Sequence, residues 1–118
     1  MRMHHMLAIS ALAFASAVQA QAPAAAAERG KSLYQKNMCF TCHGTVGQGG
    51  ERNAGPKIAP NAWPYEAFSQ QVRRPRQSMP RYTSQFVSDQ ELADIYAYTV
   101  SIMAGPAAKD IPLLASVP

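Results

Sequence analysis

Two thiols and an imidazole stand together in Cys39-Phe40-Thr41-Cys42-His43. On a helix the two sulfurs are one turn apart and the imidazole directly follows the second. That is the spacing for covalent haem attachment, in which each thiol adds to a vinyl group on one porphyrin edge and the histidine reaches the iron. Two other chemistries use cysteines in this way. A thioredoxin-like dithiol expects a strand–helix–strand context, and no alternating or β-branched run supplies one here. A structural zinc site needs four ligands, whereas these are the only two cysteines and His43 is the only histidine beyond residue 20. A disulfide between them would close a loop too small to staple a domain.

With His43 on one face of the iron, the other face takes a second side chain or stays open, and this separates electron transfer from ligand chemistry. Beyond residue 20 the methionines are Met38, Met79 and Met103. Met38 adjoins the attachment motif and cannot easily cross the ring, and Met103 is expected late in a helix. Met79 is preferred, because Pro80 stiffens the loop Arg76-Gln77-Ser78-Met79-Pro80-Arg81 that would present its thioether. A Met/His pair also raises the reduction potential. A ligand histidine needs an acceptor for its free ring N–H. Gly55-Pro56 offers a carbonyl and a close passage of the chain; taken alone, the dipeptide reads equally well as an ordinary turn.

Two helices must position these groups. From about Ala27 to Cys42 the composition is helix-forming, with Leu33, Tyr34 and Met38 near one face, and the helix leads straight into the motif. Ser88-Asp89-Gln90-Glu91 is a capping box, with Val87 and Leu92 as its staple. The helix it starts carries Leu92, Ile95, Tyr96, Tyr98 and Thr99, continues to Met103, and stops at Gly105-Pro106. Gly30 would let the two helices approach closely, with Tyr34 and Tyr98 filling the contact. Between them, His43 to Arg81 holds Gly44, Gly47, Gly49, Gly50, Gly55 and five prolines, which predicts loops with short helical turns instead of a sheet. One such helix is expected near Tyr65 to Val72. A haem would organise these loops by giving Ile58, Trp63, Tyr65, Phe68 and Val72 a macrocycle to pack around.

The chain has 118 residues, 47% hydrophobic and 15% charged, enough for one small domain. Arg2, His4 and His5 precede an apolar run from Met6 to Val18, then Val18-Gln19-Ala20. Residues 1–20 therefore read as a secretory signal peptide; the run is shorter than the roughly 20 residues that span a bilayer. The expected product is soluble and periplasmic, with no stable membrane insertion after cleavage. The formal charge is +4, and Arg73, Arg74, Arg76 and Arg81 cluster, which favours partners with acidic docking surfaces. Nucleic acid is excluded as a partner, because the basic stretch lacks interleaved aromatics or a zinc-finger pattern.

Taken in order, Cys-Phe-Thr-Cys-His-Gly, Gly-Pro-Lys-Ile, Ser-Met-Pro-Arg-Tyr and Ala-Asp-Ile-Tyr-Ala-Tyr resemble class I cytochrome c over about residues 28–104. The resemblance implies an all-α fold, with N- and C-terminal helices packed across each other and short helices and loops wrapping one covalent haem c. It implies thioethers at Cys39 and Cys42, axial iron ligation by His43 and Met79, and Pro56 as acceptor for His43. It also implies that Gly30 and Tyr34 meet the last helix around Ile95 and Tyr98, and that Trp63 and a loop arginine reach the haem propionates. Residues 21–27 read as an alanine-rich linker, and residues 105–118 as a tail that lies back on the domain, docks on a partner or stays disordered. The implied function is one-electron transfer between redox partner proteins, with no substrate transformed. The chain would serve a respiratory chain as a free shuttle or as the cytochrome subunit of a dehydrogenase. The rival is a haem enzyme or gas sensor with an open or labile sixth position. It is weakened by the lack of a second histidine to serve as distal acid or base.

Overall fold

The computed structural model describes residues 12–115. Of the expected signal peptide, residues 1–11 lie outside the described residues, as do residues 116–118 of the tail. The order is α1 (Leu12–Lys36), α2 (Phe40–His43), a 3-10 turn (Glu51–Asn53), α3 (Tyr65–Arg73), α4 (Asp89–Ser101), a second 3-10 turn (Ala108–Asp110) and α5 (Pro112–Ala115). Among the described residues there is no strand, and no helix is long and apolar enough to cross a membrane.

The first helix begins earlier than expected. Residues 21–27, read as a linker, are helical and run unbroken into the domain, because alanine is the strongest helix former and here outweighs the single Pro23. Past Lys36 the helix is closed by Met38, whose φ of 60° is left-handed. The Cys39 N–H then donates to Tyr34 O (3.1 Å) and the Met38 N–H to Gln35 O (3.0 Å), the paired closing bonds of a Schellman motif. This stop delivers Cys39 at the helix end.

The two long helices cross at Gly30, where an added Cβ would collide with the carbonyl oxygen of Asp94. Tyr34 and Tyr98 fill the crossing, with ring centroids 5.4 Å apart. The Arg29 guanidinium clasps Asp94 with bonds of 2.8 and 3.1 Å. Helix α4 starts at the expected capping box, in which Ser88 Oγ accepts from Glu91 N and the Glu91 carboxylate accepts from Ser88 N. Val87 and Leu92 are both buried beneath it. The core is Tyr34, Phe68, Val87, Leu92, Ile95 and Tyr98, and α3 joins it by packing Tyr65 edge-on and Phe68 at a tilt against Tyr96, each with ring centroids 5.3 Å apart.

One boundary differs at the far end. Helix α4 stops at Ser101, and Ile102 is extended, with ψ at 120°. Met103 therefore lies past the helix, 87% exposed. The last turn is closed by hydroxyls, since Thr99 Oγ1 donates to Tyr96 O and Ser101 Oγ to Tyr98 O, which satisfies carbonyls that a longer helix would have used. Beyond it, the second 3-10 turn and α5 pack on each other.

Candidate haem site

Helix α2 is one turn long and carries the attachment motif. Its closing bonds run from His43 N to Cys39 O (3.0 Å) and from Gly44 N to Phe40 O (2.9 Å). Gly44, at φ 81°, reverses the chain, and the buried Tyr34 hydroxyl donates to its carbonyl at 2.7 Å. Helix α1 thus holds both ends of the motif.

His43 Nδ1 lies 2.8 Å from the carbonyl oxygen of Pro56. A carbonyl only accepts, so Nδ1 carries the proton and the lone pair is on Nε2. Pro56 is brought there by a tight loop. Gly50 N donates to Gly55 O at 3.0 Å, and a Cβ on Gly55 would stand 2.7 Å from Cys42 O. Only glycine lets the backbone pass the motif this closely.

Cys39 and Cys42 are free thiols, each half-buried. Burial pushes the Cys39 thiol up to about 11. Burial raises the phenol of Tyr82. Its hydroxyl donates to Asn37 O at 3.0 Å. Cys39, Phe40, Ile58, Val72 and Tyr82 are all partly buried against the core cluster, leaving apolar surface on the side away from it.

Met79 is half-buried, and its Sδ accepts from Gln71 Nε2 at 3.8 Å. Gln71 also lines a surface cleft of about 350 Å³ with Trp63, Pro64, Ala67, Gln70, Arg74 and Arg76. Trp63 is 56% exposed, and its carbonyl is fixed by the Tyr96 hydroxyl at 2.8 Å. The predicted residues thus fall into two groups. Cys39, Cys42, His43 and Pro56 gather around α2, while Met79 and Trp63 are joined through α3. Ile58 lies in the apolar layer with Cys39.

These residues fit a haem on three counts. The imidazole is pinned with Nε2 free to bind a metal, two unpaired thiols stand one turn apart, and a half-buried apolar layer adjoins them. Thr83, next to Tyr82, adds a buried hydroxyl that has no hydrogen-bond partner.

Three residues of the site went unread in the sequence. Gln71 donates to Met79 Sδ, and the Tyr82 hydroxyl donates to Asn37 O, two residues before Cys39. Arg73 donates to Tyr82 O (3.0 Å) and Val87 O (2.7 Å) and pairs with Asp89 (2.7 Å). The tyrosine of Ser-Met-Pro-Arg-Tyr was a usable signal for Tyr82. Arg73, read as one of four surface charges, is a brace, with its side chain only 18% exposed.

Comparison with known protein families finds a match. The model of the family described as cytochrome C oxidase, cbb3-type, subunit III matches residues 25–98, a stretch that holds the attachment motif, Met79 and most of α4. No curated protein and no solved structure matches the chain. The chain belongs to this family of c-type cytochrome domains, so it binds haem c covalently, iron included, and takes part in electron transfer with redox partner proteins.

Proposed function

We propose that this c-type cytochrome is an exported monohaem carrier that passes single electrons between redox proteins through a His/Met-ligated haem, transforming no substrate. The observation that carries the reading is the bond from His43 Nδ1 to Pro56 O, 2.8 Å long. It fixes the orientation of the ring and occupies Nδ1, which leaves Nε2 as the nitrogen that can bind a metal.

The haem, when bound, supplies a ferric/ferrous couple that accepts and releases one electron. The chain's own residues do the rest. Cys39 and Cys42 would hold the group through two thioethers, each the addition of S–H across a vinyl group, with no change in oxidation state. His43 and the Met79 thioether, a soft donor that favours the ferrous state, would hold its iron. Ile58 packs on the macrocycle. Trp63 reaches its carboxylates together with Arg74 or Arg76, which line the same cleft.

In this reading residues 1–20 are a signal peptide that directs the protein to the periplasm, and residues 21–27 link it to a domain spanning 28–104, followed by the tail 105–118. Arg74, Arg76 and Arg81 are exposed and form the surface offered to an acidic partner, either in passing or as a subunit bound to a dehydrogenase or an oxidase.

The test is to express the precursor with c-type maturation machinery and record spectra of native and denatured protein. Haem that stays with the denatured chain, and is lost in Cys39→Ala/Cys42→Ala, supports the thioethers. A weak far-red band in the ferric protein, absent in Met79→Ala, supports Met79 on iron. Rapid saturation of the reduced protein by carbon monoxide at neutral pH would instead favour the sensor or enzyme class, with an open or labile sixth position.

A further inference from the structure

Met79 sits in a loop that leaves α3 and returns to it. The chain departs after Arg74, whose N–H closes the helix onto Gln70 O at 2.8 Å, and comes back where Tyr82 N donates to Val72 O at 3.2 Å. Arg73 reinforces the return by donating to the Tyr82 carbonyl. Between these points Pro75 and Pro80 have no N–H to give, Gln77 is left-handed at φ 61°, and the chain turns at Gln77 and Ser78. The loop is clasped at its base, and Met79 itself is met by a side-chain contact, from Gln71 Nε2 to Met79 Sδ at 3.8 Å.

The donor is on the rigid side of that contact. Gln71 belongs to α3, which Phe68 anchors in the core against Tyr96. A thioether sulfur has two lone pairs, and binding a metal through one or the other gives opposite configurations at sulfur. A donor fixed on one lone pair leaves the other for the iron. The same N–H, with its positive end on the sulfur, weakens the thioether as a donor and disfavours the more positive ferric state.

We propose that Gln71 is a positioning residue for the electron-transfer site: its amide holds one lone pair of Met79 Sδ, selects a single sulfur configuration at the iron and raises the reduction potential. This rests on Met79 being the axial ligand, as proposed above.

The test uses the mature holoprotein and its Gln71→Leu and Gln71→Asn variants. Leucine removes the donor, and asparagine keeps the amide but draws it back by one methylene. Three readouts are taken: the ferric far-red band, the proton NMR shifts of the Met79 methyl and the haem methyls, and the reduction potential. The wild type should show one sulfur configuration. Both variants should keep the band, show two interconverting configurations as a narrowed spread of haem-methyl shifts, and have lower potentials. A band lost from Gln71→Leu but kept by Gln71→Asn, with both proteins folded, also supports positioning. Intact bands with unchanged shifts and potentials overturn the role of Gln71 and leave ligation by Met79 standing. A wild type without the band overturns Met79 ligation itself, and the role of Gln71 with it.

Discussion

Gly30 lies backbone to backbone against Asp94: a Cβ placed on it would collide with the Asp94 carbonyl oxygen and stand 2.9 Å from Tyr98 Cβ. Two effects of Gly30→Ala oppose each other. Alanine gains about 1 kcal/mol in helix propensity over glycine, while overpacking a tight contact costs about 1–3 kcal/mol or more. The obstacle is backbone, which cannot swing aside, so the clash should win. Gly30→Ala should lower the urea midpoint of the holoprotein, and an equal or higher midpoint would show that the helices can part without loss.

The same crossing carries a pH dependence. Asp94 is 4% exposed, and its carboxyl is held below the ordinary carboxylate range chiefly by the hydrogen bond from Arg29, with help from Gln90 and against the effect of burial. The folded value is depressed, so the unfolded chain takes up the proton first as pH falls. The stabilisation is therefore complete above the ordinary value near 3.8 and is lost as pH drops through the folded value. Plots of urea midpoint against pH should fall more steeply below about 4 for the wild type than for Asp94→Asn. Parallel curves would remove Asp94 from the account.

How much of this was legible depended on whether the signal was local. The capping box needs only Ser88 and Glu91, three residues apart, and both of its bonds are present. The glycine at the helix crossing and the Tyr34–Tyr98 contact could be read because a face of each helix repeats in sequence. The tethers of the Met79 loop could not. Arg73 binds the carbonyls of Tyr82 and Val87, groups that every residue carries, so no side-chain pattern marks them. Gln71 meets Met79 only because the loop closes. At the ends of helices local and tertiary forces compete, which is why α1 starts before Ala27 and α4 stops short of Met103.

Met38 offers a stabilising change. It closes α1 in a left-handed conformation, φ 60°, with its side chain 55% exposed. That conformation costs an L-residue about 1–2 kcal/mol, partly offset by the roughly 0.5–1 kcal/mol of chain entropy that glycine loses on folding. Met38→Gly should stabilise the protein by about 0.5–1 kcal/mol in urea unfolding and leave the ferric far-red band unchanged. A vanished band would mean that Met38, not Met79, faces the iron.

Arg73 sets the base of the Met79 loop. It makes two bonds to carbonyls, of Tyr82 and Val87, and one to the Asp89 carboxylate. The Asp89 side chain is 86% exposed, so that ion pair contributes at most about 1 kcal/mol. The carbonyl bonds come from a charged donor, and Val87 is buried, so they should dominate. Arg73→Ala should cost about 2–4 kcal/mol, and Asp89→Asn less than about 1 kcal/mol. Lysine has one head group in place of a fork and should recover only part of the loss in Arg73→Lys. Because the loop is released before the helices separate, the far-red band of Arg73→Ala should bleach in urea ahead of the helical circular dichroism, whereas in the wild type the two should fall closer together. Equal losses in Arg73→Ala and Asp89→Asn would assign the stabilisation to the surface ion pair and leave the loop without its brace.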